Sequence, residues 1–202
     1  MPAPETLPHA PVLLDEIVEL LAPRAGDVVV DCTFGAGGHA RALADEIGPD
    51  GTYIAIDQDP DVKPLFAAFA QNSACAARFV RANFADALAD LRAEGVRADV
   101  ILMDLGLSSM QIDRPERGFS YSRQAPLDMR MDPSRPESAA TLVATASEAD
   151  LTRWMRDYGE ERYARPIARG IVRRRAQAPI TTTADLVEVV KSAVPTAALF
   201  GG

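Results

Sequence analysis

Val28-Val29-Val30-Asp31-Cys32-Thr33-Phe34-Gly35-Ala36-Gly37-Gly38-His39 is the stretch whose reading decides the fold. Three β-branched residues run into a carboxylate, and a turn carrying Gly35, Gly37 and Gly38 then opens a segment of helical spacing over residues 40–47. The order is strand, tight turn, helix. A residue without Cβ adopts positive φ readily and lets a ligand lie against the backbone, which gives these glycines a physical task. Working outward, a second strand is predicted over residues 52–56 and ends in Asp57. That is about 20 residues past the turn, the separation at which an acidic side chain meets a ribose hydroxyl pair. The stretch therefore implies a nucleoside-cofactor site.

The chain has 202 residues, 48% of them hydrophobic, enough for one α/β domain plus an insertion and too apolar for a disordered chain. Twenty-nine acidic against 21 basic side chains give a formal charge of -8, so bulk composition does not announce a nucleic-acid partner. The two cysteines, Cys32 and Cys75, lack any C-x-x-C spacing and suggest neither a metal site nor a disulfide framework. Reduced thiols are the default reading. The first eleven residues carry no basic leader region, and no apolar run approaches the roughly 18 residues that span a bilayer. No membrane, no metal and a cytoplasmic location are expected.

Taken in order, a helix is predicted over residues 12–21 and closes at Pro23. After the glycine turn and its helix, Gly48-Pro49-Asp50-Gly51 returns the chain to the second strand, a βαβ unit with a parallel sheet. An Ala- and Phe-rich helix is predicted over 64–77, a short strand over 78–81, and a clear strand over 96–105 that reaches Asp104. Residues 111–136, with five prolines and glycines among mixed charges, read as an ordered functional loop. Helices follow over 151–158, 165–175 and 184–194, the first capped by Ser147 and the last by one of Thr181, Thr182 and Thr183. Residues 1–110 are thus read as the cofactor-binding core and 111–202 as a loop-rich, then helical, substrate-recognition region.

Several side chains are placed to carry chemistry. Gly35-x-Gly37-x-x-Ala40 formally satisfies a dinucleotide fingerprint as well as other nucleoside turns. Asp31, four residues before the first glycine, turns the reading toward S-adenosylmethionine, because a carboxylate there can engage the cofactor's ammonium. Asp57 is then the ribose clamp, and Phe84 either flanks the adenine or fills core. Asp104 closes an apolar strand, where a carboxylate is costly to bury without a partner, and so faces a ligand. It is the catalytic candidate, followed by Leu105-Gly106-Leu107-Ser108-Ser109 instead of the Pro-Pro-aromatic run of general amino-directed methyltransferases. Arg162, Arg165, Arg169, Arg173, Arg174 and Arg175 concentrate positive charge in an acidic chain and read either as a solvated face or as phosphate contacts.

Longer segments carry a family resemblance. His9-x-Pro11-Val12-Leu13-Leu14, Asp31-x-Thr33-Phe34-Gly35-x-Gly37-Gly38-His39, Asp104-Leu105-Gly106-Leu107-Ser108-Ser109-x-Gln111, Glu116-Arg117-Gly118-Phe119-Ser120, Pro126-Leu127-Asp128-Met129-Arg130-Met131-Asp132 and Tyr158-Gly159-Glu160-Glu161-Arg162 resemble, in order, the bacterial 16S ribosomal RNA cytosine-N4 methyltransferases. The resemblance implies a Rossmann-like parallel sheet with a helical insertion, S-adenosylmethionine as methyl donor, and a cytidine in the decoding region of 16S rRNA, within the small ribosomal subunit, as acceptor. By motif position it implies Gly37, Gly38, His39, Asp57, Phe84, Asp104 and Gln111 as cofactor contacts, beside Asp31 and Gly35 from the reading of the turn. The same resemblance implies further C-terminal strands, so the expectation is a sheet with one edge unpartnered, self-association (a homodimer included) or low stability, cofactor binding, and little methyl transfer. Two other classes compete: an NAD-linked oxidoreductase, for which no hydride-transfer His or Tyr pair is evident, and a non-catalytic cofactor- or RNA-binding module.

Overall fold

The computed structural model describes residues 11–195, whose contacts divide into two compact units, one ending at Ser109 and the other beginning at Met110. The first holds a parallel sheet made of β1 (Val28–Asp31), β2 (Thr52–Asp57), β3 (Ala76–Arg81) and β4 (Val100–Leu102), in the order β3-β2-β1-β4. Around it lie α1 (Leu14–Leu21), α2 (Gly38–Ile47), α3 (Lys63–Asn72) and α4 (Phe84–Ala93). β1 and β2 are central and buried on both faces, which is why they read as unbroken apolar runs. Val30, Cys32, Ile54 and Ile56 pack with Ala87 and Leu91 of α4. Tyr53, Phe34, Phe66, Phe69 and Phe79 form a chain of tilted, edge-on and stacked rings. Full burial of side chains such as Val29 and Ile56 stabilises by roughly 1.5–3 kcal/mol each.

Register places the chemistry. Asp31 pairs with Ala55 on one side and Leu102 on the other, while Asp57 ends β2 opposite Arg81. Parallel strands therefore deliver Asp31, Asp57 and the loop that follows Leu102 to the same carboxyl edge, where open α/β sheets bind ligands.

Four local expectations shift. The first helix starts at Leu14, because Leu13 takes a left-handed φ of 53° that interrupts helical backbone before it. α3 stops at Asn72 and strand begins at Ala76, since pairing of Ala76 and Ala77 with Thr52 and Tyr53 overrides alanine's helical preference. α4 was not foreseen, although Phe84, Ala87, Leu88 and Leu91 follow helical spacing and the Asn83 side chain caps the Ala85 N–H at 2.9 Å. β4 is limited to Val100–Leu102, with Val96 and Ala98 packing against the α4 side as loop.

The second unit begins within α5 (Ser109–Ile112) and continues with a single 3-10 turn, Pro115–Arg117, before a long loop. The loop is ordered by its own polar groups. Arg117, 9% exposed, donates to the carbonyls of Arg130 and Met131 at 3.0 Å, and Gly118 (φ 73°) lies directly against the Pro126 carbonyl. Arg130 grips Asp128 in a two-pronged pair that holds the Asp128 carboxyl below the usual carboxylate range. Pro126 forms an antiparallel bridge with Thr182. Four helices follow, α6 (Ala139–Thr145), α7 (Glu148–Asp157), α8 (Ala164–Arg175) and α9 (Thr183–Ala193), of which α6 was not anticipated. They close over Leu127, Val143, Leu151, Ile167, Ile171, Ile180 and Val189. Ser147 caps α7 through the Asp150 N–H, and Thr182 caps α9 in a reciprocal box with Asp185. Gly170 lets α8 approach α9, since a Cβ there would meet Val189 Cγ1 at 3.2 Å.

Candidate functional site

The carboxyl edge of β1 is built from the inside outward. Asp31 is 1% exposed, and both its oxygens are spent on protein donors: Oδ1 on the Thr33 N–H at 2.9 Å and Oδ2 on the Tyr53 hydroxyl at 2.8 Å. Burial pushes its carboxyl up to about 6, against the opposing pull of those two donors and of His39. The same contact drives the Tyr53 hydroxyl well above its ordinary value, with burial the larger cause, and burial beside Asp31 pushes the Cys32 thiol up to about 11. Asp31 thus sits beneath the turn, anchoring it, and presents no oxygen to solvent. Neither cysteine forms a disulfide; both are buried thiols.

Above Asp31 the turn is stapled to both neighbouring strands. Cys32 N–H donates to Leu102 O at 2.9 Å and Phe34 N–H to Ile56 O at 3.2 Å. Gly35 (φ 53°) donates its N–H to Asp57 Oδ2 at 2.9 Å, while Asp57 Oδ1 takes the Asp59 N–H at 2.9 Å. Partial burial raises the Asp57 carboxyl despite the backbone N–H groups of Asp59, Gly35 and Gln58. Those three donors leave about one of a carboxylate's roughly four acceptor sites for a ligand hydroxyl, and unlike Asp31 the Asp57 side chain is only partly buried. On the other flank Thr33 Oγ1 accepts the Asp104 N–H at 2.8 Å, which fixes the loop after β4, and the Asp104 side chain stays 55% exposed.

Gly37 and Gly38 owe their glycines to protein neighbours. A Cβ on Gly37 would lie 2.8 Å from the Phe34 ring, on a backbone with φ 74°. A Cβ on Gly38 would meet Pro11 Cγ at 2.7 Å. His39, 8% exposed at the start of α2, points Nε2 at the Val12 carbonyl (3.0 Å) and Nδ1 toward Asp104 Oδ2 (3.9 Å). The first unit therefore gathers Gly35, Gly37, Gly38, His39, Asp57 and Asp104 around one turn, with Asp31 below it. Phe84 begins α4, half-buried against the Val30 and Ile54 cluster. Gln111 lies in the second unit, buried, with its amide nitrogen 3.1 Å from Met131 Sδ.

The six arginines separate into two groups. Arg165, Arg169 and Arg173 recur every four residues on α8, so they share one face with Arg162 just ahead of the helix, and all four are exposed. Arg162 lies over the Tyr163 ring and Arg169 is 3.8 Å from Glu148. Arg175 instead donates to the carbonyls of Val143 and Ala146 at the end of α6, and Arg174 to the carbonyl of Ala178. Arg173, Arg174 and Arg175 thus differ in what they touch. Residues that sequence reasoning missed are Thr33 and Tyr53, which hold the site through one hydroxyl each; nothing in the local pattern marks Tyr53, which reads as an ordinary strand residue.

A family model described as the MraW methylase family matches residues 6–201. The chain belongs to that family. Among curated relatives, ribosomal RNA small subunit methyltransferase H of Methylococcus capsulatus is 47% identical over 187 residues, covering 91% of this chain and 62% of its own length. The proteins of the same name from Acidithiobacillus ferrooxidans and Symbiobacterium thermophilum are 50% and 49% identical, each covering 60% of its own length and 93% and 94% of this chain. The chain spans about three fifths of the length of the curated relatives it matches. The four-stranded parallel sheet with flanking helices is of the methyltransferase class of this family, and no observation favours the oxidoreductase reading. Among the described residues no group of three or more His, Cys, Asp or Glu is arranged to hold a metal ion, and no helix is long and apolar enough to cross a membrane.

Proposed function

We propose that this protein belongs to an enzyme that transfers a methyl group from S-adenosylmethionine to the exocyclic N4 of a cytidine in the decoding region of 16S rRNA, in the cytoplasm. The observation that carries the reading is the glycine turn held between Asp57 and Asp104 at the carboxyl edge of a parallel sheet, in a chain whose relatives are named for small-subunit ribosomal RNA methylation.

The donor set fits a nucleoside with a charged amine. Asp57 keeps acceptor capacity for a ribose hydroxyl, and His39 Nδ1 and Asp104 offer acceptors to N–H groups. Gly35, Gly37 and Gly38 shape the turn, Phe84 completes the contacts that motif position implies within the first unit, and Asp31 contributes its charge from below. When bound, S-adenosylmethionine supplies a methyl group already activated on a sulfonium. What remains for the chain is positioning. An exocyclic amine is a weak nucleophile because its lone pair is delocalised into the ring. Asp104, exposed at the mouth of the turn, accepts a hydrogen bond from that amine and favours the pyramidal nitrogen that attack requires. The base must leave any stack to reach it. The exposed stripe of Arg162, Arg165, Arg169 and Arg173 takes the phosphate contacts, while Arg175 ties α8 to the end of α6 and Arg174 bonds the Ala178 carbonyl just past its own helix.

Nucleoside mass spectrometry of ribosomal RNA tests the reading. Cells lacking the gene should lack one N4-methylated cytidine in 16S rRNA, the gene should restore it, and an Asp104→Ala copy should not. Full methylation without the gene refutes the assignment.

A further inference from the structure

The cations of α8 differ from those of α7 in what holds them. On α7, Arg153 is paired with Asp150 at 2.9 Å and Arg156 with Asp157 at 2.7 Å. On α8, Arg169 lies 3.8 Å from Glu148, and Arg165 and Arg173 have no acidic partner among the described residues. Arg165, Arg169 and Arg173 are like charges at i, i+4, an arrangement that destabilises a helix on its own. A ligand with anions at the same spacing removes that repulsion. Four helical residues rise about 6 Å, about one nucleotide of backbone, so successive arginines are set for successive phosphates. The row is one charge wide, because Ile167, Ala168 and Ile171 beside it are buried in the core of the second unit. It matches one backbone and offers nothing to a second.

The loop 158–163, which joins α7 to α8, is held at the head of this row by backbone. Tyr158 donates its N–H to the Trp154 carbonyl at 3.0 Å, and Glu161 donates its N–H to that of Met155 at 2.9 Å. The Glu161 carboxylate takes the Tyr163 N–H at 2.7 Å, and Glu160 sits at a left-handed φ of 50°, uncommon for a residue with Cβ. Two flat groups emerge from this fixed loop. Tyr158 is 83% exposed, and the Arg162 guanidinium lies 4.9 Å over the Tyr163 ring in a residue that is itself exposed. An aromatic ring and a guanidinium plane are the surfaces on which unpaired RNA bases stack. In a duplex those base faces are closed by the pairs above and below.

We propose that the hairpin of α7 and α8 is a docking surface for an unpaired RNA strand, with bases stacked on Tyr158 and Arg162 and consecutive phosphates on Arg165, Arg169 and Arg173. This rests on the RNA substrate assigned above and specifies the form in which that RNA meets this face. Of the acids at the face, Glu148 shields Arg169 and Glu160 lies in the loop, so the row keeps an excess of positive charge. Rings and charges contribute separable effects. Stacking is indifferent to counterions, whereas each phosphate contact releases them.

Fluorescence anisotropy with a short RNA free of internal pairing, and with the same RNA annealed to its complement, tests both parts over a range of salt concentrations. The single strand should bind more tightly than the duplex throughout, with log K falling against log salt at a slope of about −2 to −3 for the phosphates of one row. Tyr158→Ala should weaken single-strand binding at least about fivefold without changing that slope, and Tyr158→Phe, which keeps the ring, should stay within about twofold of the wild type. Duplex binding should change less than about twofold in either variant. Arg162→Lys keeps the charge without the plane and should weaken single-strand binding at least about threefold at constant slope. Arg165→Gln combined with Arg173→Gln should flatten the slope by about 1.4. Fluorescence of Trp154 on α7 reports that each variant is folded. Duplex binding as tight as that of the single strand, no loss in Tyr158→Ala, or an equal loss in Tyr158→Phe overturns the proposal. So does displacement of the RNA by polyglutamate of equal charge as readily as by unlabelled RNA, which makes the row a face for acidic protein, and so does a lack of RNA binding at low salt. The methylation reading fails separately: if the single strand binds through Tyr158 but cells lacking the gene keep their 16S rRNA fully methylated, the docking surface stands and the enzyme assignment falls.

Discussion

Asp31→Asn should stabilise the first unit at neutral pH and not in acid. In the folded chain burial holds the Asp31 carboxyl at about 6, against an ordinary value of 3.8. Between those two values the folded state binds more protons than the unfolded one, so folding stability falls as pH rises. Asp31 thus favours the fold fully below about pH 4 and loses that contribution as pH climbs through about 6. At 1.36 kcal/mol per pH unit the gap between 3.8 and about 6 corresponds to about 3 kcal/mol. Asparagine keeps an acceptor for the Thr33 N–H and can donate to the Tyr53 hydroxyl, so the hydrogen bonds survive without the charge. The stability advantage of Asp31→Asn over wild type should therefore grow by about 2.5 kcal/mol from pH 4 to pH 7, the rest of the difference lying outside that window. Carboxylates held low by arginine or by capping donors, such as Asp128 and Asp185, slope the other way, with stability lost as pH falls, but they are common to both proteins and cancel in the difference. Urea unfolding at several pH values, followed by amide exchange on β1 and β2, is the assay. Tryptophan fluorescence would not serve, because the single Trp154 lies on α7 in the second unit. A difference between the two proteins that stays constant with pH to within about 0.5 kcal/mol would refute the burial argument.

Gly37→Val combines a left-handed backbone with a clash against the Phe34 ring, so it should destabilise the first unit by at least about 1–2 kcal/mol and abolish measurable S-adenosylmethionine binding; retained affinity in calorimetry would mean that the turn is not the site. Asp57→Ala frees the Gly35 and Asp59 N–H groups and should weaken cofactor binding by about 1.5–3 kcal/mol in the same titration. Arg165, Arg169 and Arg173 changed together to Glu should weaken RNA binding and flatten its salt dependence without altering cofactor affinity, and equal salt slopes would return the stripe to a solvated face. Arg175→Ala should instead lower the thermal stability of the second unit, by about 1.5–3 kcal/mol, because it strips the Val143 and Ala146 carbonyls of their charged donor, and its RNA salt slope should stay that of the wild type.

The sequence by itself determined the features that depend on neighbours in the chain. Valines running into Asp31 and three glycines specify strand and turn wherever they occur, and Ser147 and Thr182 announce helix starts because a cap bonds only two or three residues ahead. The βαβ order and the acidic strand ends at Asp31 and Asp57 were legible for the same reason. What tertiary structure alone decided is where each polar atom is spent. Ala76 and Ala77 are strand and not helix because β2 lies beside them with open hydrogen-bonding groups. Asp31 is a buried anchor because Tyr53, remote in sequence, donates to it, and Gly37 is glycine because Phe34 folds back across it. Arg175 looks like Arg173 in any window of sequence, yet it reaches carbonyls at the end of α6 that only packing brings within hydrogen-bond distance, while Arg174 bonds locally to the carbonyl of Ala178 four residues on. Charge and propensity are properties of a residue, but the partner that uses them is chosen by the fold.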